Sequence, residues 1–208
     1  MNVLLINGSP HAAGCTHTAL SEVARMLNEE RIDTELLHVG NKDIRGCIAC
    51  GKCRSLGKCT FDDIVNDAAK KFENADGLVV GSPVYYASAN GTLVSFLDRL
   101  FYSSPFSKRM KVGASVVSAR RGGNTATFDE LNKYFTISQM PVASSQYWNQ
   151  VHGFTADDVR KDEEGLQIMR TLGRNIAFLI KSIALGKDAY GLPQQETHIA
   201  THFIRAER

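Results

Sequence analysis

The stretch NVLLINGSPHAAGCTHTAL, residues 2–20, joins an apolar segment to a helical pattern through a short polar loop, and it decides the fold. Its first six residues contain four consecutive apolar side chains and lead directly into Gly8, which is typical of a strand buried on both faces of a parallel sheet. From Thr16 to about Glu30, apolar residues recur at the spacing of one helix face. The stretch therefore predicts a strand, a loop and a helix, which is the repeating unit of an α/β protein.

The same alternation of strand and helix patterns continues along the chain. Further strands are predicted at DTELLHV (33–39), GLVVGSP (77–83), MKVGASVVS (110–118) and near Ser145 to Trp148. Helices are predicted within FDDIVNDAAKKFENADG (61–77) and ANGTLVSFLDRLFY (89–102), near Thr125 to Ser138, and over roughly Ala156 to Leu185. Five strands that alternate with helices predict a doubly wound five-stranded parallel sheet, in the order 2-1-3-4-5, with helices on both faces.

The chain is predicted to form one domain over residues 1–208, with a cysteine-rich insert at 46–60 and a C-terminal extension from about residue 186. In sheets of this kind, ligands bind beyond the carboxyl ends of the strands, at the switch between strands one and three. The loops after Asn7, Gly81 and Ser118 are therefore the candidate binding loops. The cysteine-rich insert follows strand two and is expected to emerge at the same end of the sheet.

The composition excludes several classes of function. The chain has 43% hydrophobic and 22% charged residues and a net charge of +2, which gives no electrostatic case for binding nucleic acid or a membrane surface. No apolar run approaches the length of a transmembrane helix, and residues 1–10 lack the features of an export signal. We therefore expect a cytoplasmic protein whose thiols are kept reduced.

The first candidate loop, GSPHAAGCTHT (8–18), opens onto the N-terminus of the first helix. Free backbone N–H groups and the helix dipole make that position an anion site, which the hydroxyls of Ser9, Thr16 and Thr18 can complete. The loop lacks the lysine of a nucleoside-triphosphate loop and the glycine spacing of dinucleotide folds. A phosphate group fits this loop, and the alternative is a capped turn whose hydroxyls satisfy only backbone donors.

The other two candidate loops suit a planar, polar ligand. The segment GSPVYYASANG (81–91) can offer Tyr85 and Tyr86 to a flat ring. The segment SARRGGN (118–124) combines two arginines with two glycines that permit a close approach of the backbone. The alternatives are tyrosines that only cover the end of the sheet and a solvated, flexible turn.

These loops resemble those of the flavodoxin-like NAD(P)H-dependent FMN reductases. The resemblance spans most of the chain and is carried by GSPHAAGCT (8–16), ADGLVVGSPVYYASANGTLVSFLDRL (75–100) and KVGASVVSARRGGN (111–124). It implies that the FMN phosphate is held by Ser9, His11, Cys15, Thr16 and Thr18. It also implies that the isoalloxazine ring and the ribityl chain are surrounded by Pro83, Val84, Tyr85, Ser118, Arg120 and Gly122. His11 and Cys15 depart from the family, in which arginine and asparagine are common at these positions.

Four of the five cysteines follow the spacing C-x2-C-x2-C-x5-C, through Cys47, Cys50, Cys53 and Cys59. Three thiols at intervals of three residues can converge on one cubic cluster, whereas zinc more often uses two separated C-x2-C pairs. The motif resembles that of the iron-sulfur flavoproteins, a branch of the same family. This resemblance implies one [4Fe-4S] cluster that passes electrons between a ferredoxin-type donor and the flavin. The alternative is a loop of reduced cysteines without a cluster.

These features together predict an FMN-dependent oxidoreductase. It either relays electrons through a [4Fe-4S] cluster to FMN or uses NAD(P)H to reduce a small acceptor such as a flavin or a quinone. The alternatives are a plain NAD(P)H-dependent FMN reductase without a cluster, a non-catalytic electron carrier like a flavodoxin, and a zinc-stabilised interaction module. The family resemblance also implies a homodimer or a homotetramer.

Overall fold

The computed structural model of the chain describes residues 1–199, which form five strands and seven helices. The strands are β1 (Asn2–Asn7), β2 (Asp33–His38), β3 (Gly77–Pro83), β4 (Val112–Ala119) and β5 (Gln150–His152). The helices are α1 (Cys15–Glu29), α2 (Cys53–Leu56), α3 (Ile64–Asn74), α4 (Gly91–Ser103), α5 (Asn124–Ile137), α6 (Ala156–Lys161) and α7 (Glu163–Tyr190). The alternation of strand and helix predicted from the sequence is confirmed.

The five strands form one parallel sheet in the order β2-β1-β3-β4-β5, as predicted. The register places the carboxyl ends of neighbouring strands side by side: Asn7 of β1 lies opposite Gly81 of β3, and Pro83 of β3 lies opposite Ser118 of β4. The loops that follow these three strands therefore meet at one edge of the sheet, where ligands bind in doubly wound folds.

The sheet is covered by helices on both faces, which explains why β1 is continuously apolar. Val3 and Leu5 belong to the apolar core on the face of α1 and α7, while Leu4 and Ile6 belong to the core on the face of α3 and α4. All four side chains are almost completely buried. Burial of each such side chain contributes about 1.5–3 kcal/mol, so the opening stretch of the sequence stabilises both layers at once.

The fifth strand lies at Gln150–His152, so its prediction near Ser145 to Trp148 was wrong. The earlier segment is a turn, in which the hydroxyl of Ser145 lies 2.7 Å from both the carbonyl oxygen of Tyr147 and Oδ1 of the buried Asn149. The true strand has three residues, of which only Val151 is buried. Such a short strand gives no alternation of polar and apolar residues that a sequence pattern could detect.

The long helix predicted over Ala156 to Leu185 is two helices, α6 and α7, separated at Asp162. The Asp162 carboxylate accepts hydrogen bonds from the backbone N–H of His152 (2.6 Å) and of Gly165 (2.9 Å), so it starts α7 as an N-cap and ties it to β5. Helix α7 continues to Tyr190, into the expected C-terminal extension, and residues 200–208 of that extension lie outside the described residues. None of the helices described combines the length and the apolar character needed to cross a bilayer.

Helix α7 packs closely on α1 at Gly173. A Cβ atom at this glycine would lie 2.6 Å from Cβ of Met26 and 3.0 Å from the carbonyl oxygen of Val23, both in α1. Real Cβ atoms essentially never approach another heavy atom to 2.6 Å, so α1 and α7 can be this close only because residue 173 has no side chain. In the same helix, a Cβ atom at Gly186 would lie within 4 Å of no atom of residues 1–199 outside its own stretch of helix.

We expect Gly173→Ala and Gly186→Ala to change stability in opposite directions. Gly186→Ala should stabilise the protein by up to about 1 kcal/mol, because alanine favours the helix. Gly173→Ala should have a net destabilising effect, because overpacking costs about 1–3 kcal/mol and outweighs the same helical gain. Urea unfolding of the two variants measures both effects, and a stabilised Gly173→Ala protein would contradict the close packing of α1 and α7.

Candidate functional site

A cavity of ≈ 740 Å³ lies at the carboxyl edge of the sheet, where four loops meet. We call it the loop pocket. It is lined by the loops after β1 (Ser9–Thr16), β3 (Pro83–Tyr85), β4 (Ser118–Arg120) and β5 (Gly153–Thr155). Its volume lies within the range of about 300–1,000 Å³ that is usual for small-molecule and cofactor sites.

The loop after β1 is shaped by side chains rather than left free. The buried amide of Asn7 accepts a hydrogen bond from the backbone N–H of Ser9 (3.0 Å) and donates one to the carbonyl oxygen of Ala12 (3.3 Å). Nε2 of His38, at the end of β2, donates to the carbonyl oxygen of Ser9 (2.7 Å). The hydroxyl of Ser9 accepts from the backbone N–H of His11 (3.2 Å). The loop is thus preorganised from both sides.

Helix α1, whose first residues line this pocket, lacks a side-chain cap, and so does α5, which follows the loop after β4. Within residues 1–199, α3, α4, α6 and α7 are each capped by an Asp, Asn or Thr side chain, whereas Gly14 precedes α1 and Gly123 precedes α5. Neither α1 nor α5 has an acidic residue in its first turn. Their first backbone N–H groups therefore have no side-chain acceptor and are free to bind an anion.

The loop after β3 is held in a tight turn beside the pocket. Tyr85 and Ser88 exchange two backbone hydrogen bonds (2.9 and 3.0 Å), and the two residues between them, Tyr86 and Ala87, both have left-handed backbones (φ 52° and 60°). Left-handed conformations are unfavourable for residues other than glycine, so the turn must be stabilised from outside. Glu130 of α5 does this, because its carboxylate accepts from the Ser88 hydroxyl (2.8 Å) and the Ala89 N–H (2.7 Å).

Direct contacts join the loops around the pocket. The hydroxyls of Thr16 and Ser118 are hydrogen-bonded at 2.8 Å, which links the start of α1 to the end of β4. The backbone N–H of Val84 donates to the carbonyl oxygen of Ser118 (2.9 Å), which links the loops after β3 and β4. Ser118 therefore contacts both of the other predicted binding loops.

The charges around the pocket favour an anionic ligand. The lining residues include Arg120, which is exposed, and contain no Asp or Glu. Burial raises the pKa of the Cys15 thiol above its ordinary value, so Cys15 is a neutral thiol at pH 7 and lies 3.6 Å from the carbonyl oxygen of Gly153 as a weak donor. A neutral thiol does not repel a phosphate group.

Most of the residues predicted to contact FMN lie together in this pocket. The lining includes Ser9, His11, Cys15, Thr16, Pro83, Val84, Tyr85, Ser118 and Arg120. Thr18 and Gly122 are not lining residues. The hydroxyl of Thr18 donates to the carbonyl oxygen of Gly14 (3.1 Å), so it is used within α1.

Sequence reasoning missed the fourth wall of the pocket. Gly153, Phe154 and Thr155 follow β5, and Phe154 is 79% exposed at the rim. They were missed because β5 was placed too early in the chain. The signal that could have found them is Val151 followed by Gly153, a buried β-branched residue before a turn glycine.

The four clustered cysteines form a second pocket, which we call the cysteine pocket. Cys47, Cys50, Cys53 and Cys59 line one small space of ≈ 20 Å³, and the other lining residues include Phe61, Arg99 and Tyr102. All four thiols are free. Cys53 begins the short helix α2, which the sequence analysis did not predict and which ends at the left-handed Gly57.

The cysteine pocket is separate from the loop pocket, although the insert leaves β2 at the predicted edge of the sheet. The two pockets share no lining residue. Arg99 and Tyr102 lie eight and eleven residues beyond the first residue of α4, or about 12 and 16 Å along the helix axis at 1.5 Å per residue. The insert leaves β2 at the carboxyl edge of the sheet but runs back along α4.

A buried guanidinium group holds one wall of the cysteine pocket. The side chain of Arg99 is 1% exposed, and its Nε donates to Sγ of Cys59 (3.3 Å). Its two terminal nitrogens donate to both carboxylate oxygens of Asp63, at 2.7 and 2.9 Å. Burial acts to lower the pKa of Arg99, but its bonds to Asp63 and Cys59 outweigh burial and raise the pKa above its ordinary value. Sequence reasoning missed Arg99 because it lies 40 residues from Cys59.

The side chains of the cysteine pocket are not arranged as the ligands of a single metal ion. Across residues 1–199, no three His, Cys, Asp or Glu side chains are grouped closely enough to hold one ion. A cubane binds its four thiolates at four different irons, so its ligands stand further apart than those of one ion. Four thiols line one pocket here, and a cationic N–H donor is directed at one of the sulfurs.

Comparison with known proteins identifies the family. The profile of the NADPH-dependent FMN reductase family matches residues 1–155. The chain is 34% identical over 194 residues to iron-sulfur flavoprotein MJ1083 of Methanocaldococcus jannaschii, covering 88% of this chain and 99% of that protein. It is 26% identical over 192 residues to an iron-sulfur flavoprotein of Methanosarcina thermophila, covering 90% and 100%.

A solved structure of RosB with bound 8-demethyl-8-formylriboflavin-5'-phosphate has the same fold, with a TM-score of 0.71 at 14% identity over 100% of this chain and 95% of that chain. The chain therefore belongs to the NADPH-dependent FMN reductase family, in the iron-sulfur flavoprotein branch, and its fold is flavodoxin-like.

We expect Thr16→Ala to weaken FMN binding and Thr18→Ala to leave it nearly unchanged. The Thr16 hydroxyl lies at the uncapped start of α1 and on the pocket wall, where it can accept from Ser118 and donate to the phosphate. Loss of a hydrogen bond to a charged group costs about 1.5–3 kcal/mol, or about ten- to a hundredfold in Kd. Thr18 directs its hydroxyl to Gly14 instead. Flavin fluorescence titration of the apoprotein measures both affinities, and equal effects of the two substitutions would contradict this placement of the phosphate.

Proposed function

We propose that this member of the NADPH-dependent FMN reductase family is an FMN-dependent oxidoreductase that also carries one [4Fe-4S] cluster. The observation that carries the proposal is the presence, on one chain, of a ≈ 740 Å³ pocket suited to an anion and a separate pocket lined by four cysteines. The family profile and the names of the relatives favour the same two cofactors. A cytoplasmic location is part of the proposal, in keeping with five free thiols.

The loop pocket supplies the FMN site in this proposal. The phosphate is assigned to the loop after β1, against the free N–H groups at the start of α1 and the hydroxyls of Ser9 and Thr16. The ring and the ribityl chain are assigned to the loops after β3 and β4, which contribute Tyr85, Ser118 and Arg120. This assignment places the phosphate at a helix N-terminus and the ring beside the aromatic side chain of Tyr85.

The cysteine pocket supplies the cluster site. Cys47, Cys50, Cys53 and Cys59 are the proposed ligands, because all four line the same cavity. Cys15 is excluded, because it lies in the loop pocket and is directed at Gly153. When bound, the two groups supply electron transfer, with single electrons carried by the cluster and delivered by FMN to a small acceptor such as a quinone or another flavin.

The chain's own residues control access to the flavin site. Tyr85 and Phe154 are 45% and 79% exposed at the pocket, on opposite loops, and offer apolar surface to the ring of an acceptor. Glu130 keeps the Tyr85 loop in its left-handed turn, so this wall does not have to be ordered when an acceptor binds.

The surface around the cysteine pocket suits an acidic protein partner. The exposed residues in and near the insert include four basic side chains, Arg45, Lys52, Arg54 and Lys58. No Asp or Glu occurs between residues 45 and 60. Ile48, Leu56 and Tyr102 add exposed apolar side chains to the same region. An electron-transfer protein of the ferredoxin type, with an acidic docking face, is the partner that this combination favours.

A homodimer or homotetramer is also part of the proposal. The two pockets of one chain share no lining residue and are offset along α4. Helix α7 exposes Phe178 and Leu185, at 70% and 71%, which is the kind of apolar surface that subunit contacts cover. Assembly of copies offers a way to bring the cysteine pocket of one copy close to the loop pocket of another.

A second candidate function is a plain NAD(P)H-dependent FMN reductase whose four cysteines form a reduced loop. It is favoured by the exposure of Cys47 and Cys50 and by the small volume, ≈ 20 Å³, of the space that the four cysteines line. A non-catalytic carrier like a flavodoxin is disfavoured, because such carriers dock through acidic surfaces and this chain has a net charge of +2.

We expect anaerobically purified protein to contain about four iron and four sulfide per chain, together with FMN. Cys50→Ser should lose the iron and sulfide and keep the FMN, because Cys50 lines only the cysteine pocket. Cys15→Ser is the matched control and should keep the iron and sulfide. Elemental and sulfide analysis with an absorption spectrum measures these contents. Wild-type protein that binds FMN but takes up neither iron nor sulfide would leave the plain reductase as the function.

We expect reduced ferredoxin to reduce the bound FMN rapidly in wild-type protein and slowly in Cys50→Ser, with a rate that falls as salt is added. Lys52→Glu combined with Lys58→Glu should slow the reaction about tenfold or more at low salt, because both side chains lie on the proposed docking surface. Lys133→Glu, an exposed lysine on α5, is the control. Stopped-flow absorbance follows the flavin, and rapid reduction by NAD(P)H in the Cys50→Ser protein would favour the second candidate.

A further inference from the structure

The four cysteines of the cysteine pocket differ in their exposure and in the number of hydrogen bonds that hold them. Cys47 and Cys50 are exposed, whereas Cys59 is fixed at its backbone and at its sulfur. The amide of Asn66 accepts from the backbone N–H of Cys59 (3.0 Å) and donates to its carbonyl oxygen (3.1 Å) and to that of Phe61 (2.9 Å). Arg99 supplies the bond to the sulfur at 3.3 Å. Cys59 is thus a preformed ligand position, and the rest of the motif is not.

The Arg99 side chain is oriented by contacts on every side. Its terminal nitrogens donate to the Asp63 carboxylate and to the carbonyl oxygen of Arg45 (3.1 Å), and its Cζ atom lies 4.9 Å from the ring centroid of Phe61. These contacts leave the single Nε–H directed at Cys59. Because the guanidinium is almost completely buried, its charge acts on the sulfur with little screening by solvent.

We propose that Arg99 is a positioning residue that raises the reduction potential of the cluster through its Nε–H bond to Cys59, and that Asp63 moderates this effect. The inference rests on the proposed cluster. One-electron reduction adds one negative charge to the cluster and its thiolates and changes no bond in the chain. A cationic hydrogen-bond donor at a ligand sulfur stabilises the more negative, reduced form.

The two members of the pair are expected to act in opposite directions. Removing the charge of Arg99 takes away stabilisation of the reduced cluster, so the potential should fall. Removing the charge of Asp63 leaves the Arg99 charge uncompensated, so the potential should rise. If the pair had only a structural role, the two substitutions would not shift the reduction potential in opposite directions, because each would loosen the same contacts.

Redox titration of the holoprotein, followed by the spectrum of the cluster, tests the inference. In Arg99→Gln, the ratio of reduced to oxidised cluster at a fixed solution potential should fall about tenfold, which is 59 mV for a one-electron couple. In Asp63→Asn, it should rise by a similar factor. Asparagine can still cap α3, where Asp63 accepts from the N–H of Val65, so this variant keeps the helix cap although it loses the charge that pairs with Arg99. Arg54→Gln, which removes an exposed charge from the same motif, should shift the ratio less than about threefold.

The FMN potential and FMN content serve as the internal control and should not change in any variant. If Arg99→Gln fails to hold the cluster, Arg99→Lys keeps the charge without the directed Nε–H and should show a smaller fall. An unchanged potential in both Arg99 variants, or a lowered potential in Asp63→Asn, would overturn the inference while the cluster itself stands. Wild-type protein without iron and sulfide would overturn the proposed cluster and this inference together.

Discussion

The packing of α1 against β3 at Gly81 is the constraint on which the site depends. A Cβ atom at Gly81 would lie 2.7 Å from Leu20 and 2.8 Å from Thr16, so the helix reaches the sheet only because this strand position has no side chain. The N–H of Gly8 donates to the carbonyl oxygen of Gly81 (2.8 Å) and extends the pairing of β1 with β3 into the loop. Together these contacts place the uncapped end of α1 at the sheet edge and bring Thr16 to Ser118.

The sequence predicted most of the fold because the signals of this fold are local. The strands β1 and β3 are apolar runs next to glycine or proline. Most of the predicted helices have a capping residue at the start or helical spacing along one face. The errors fall where the signal is short or ambiguous. Strand β5 has only three residues, and Asp162 separates two helical patterns without a proline or glycine at the break.

The site was predicted less completely than the fold, for a physical reason. Topology alone brings the loops after β1, β3 and β4 together, so their residues could be named from the sequence. The side chains that hold those loops act over long sequence separations: Glu130 lies 42 residues from Ser88, and His38 lies 29 from Ser9. Contacts of this kind follow from the packed structure and leave no pattern in a single sequence.

The double use of Asp63 has an evolutionary consequence. Its carboxylate both starts α3 and pairs with Arg99, so the cysteine motif shares a partner with the hydrophobic layer that α3 covers. A lineage that lost the cysteines alone would retain a buried guanidinium with one donor unsatisfied, and a lineage that lost Arg99 alone would retain a carboxylate without its counter-ion. Gain or loss of the motif is therefore expected to be epistatic, with positions 59, 63 and 99 changing as a set.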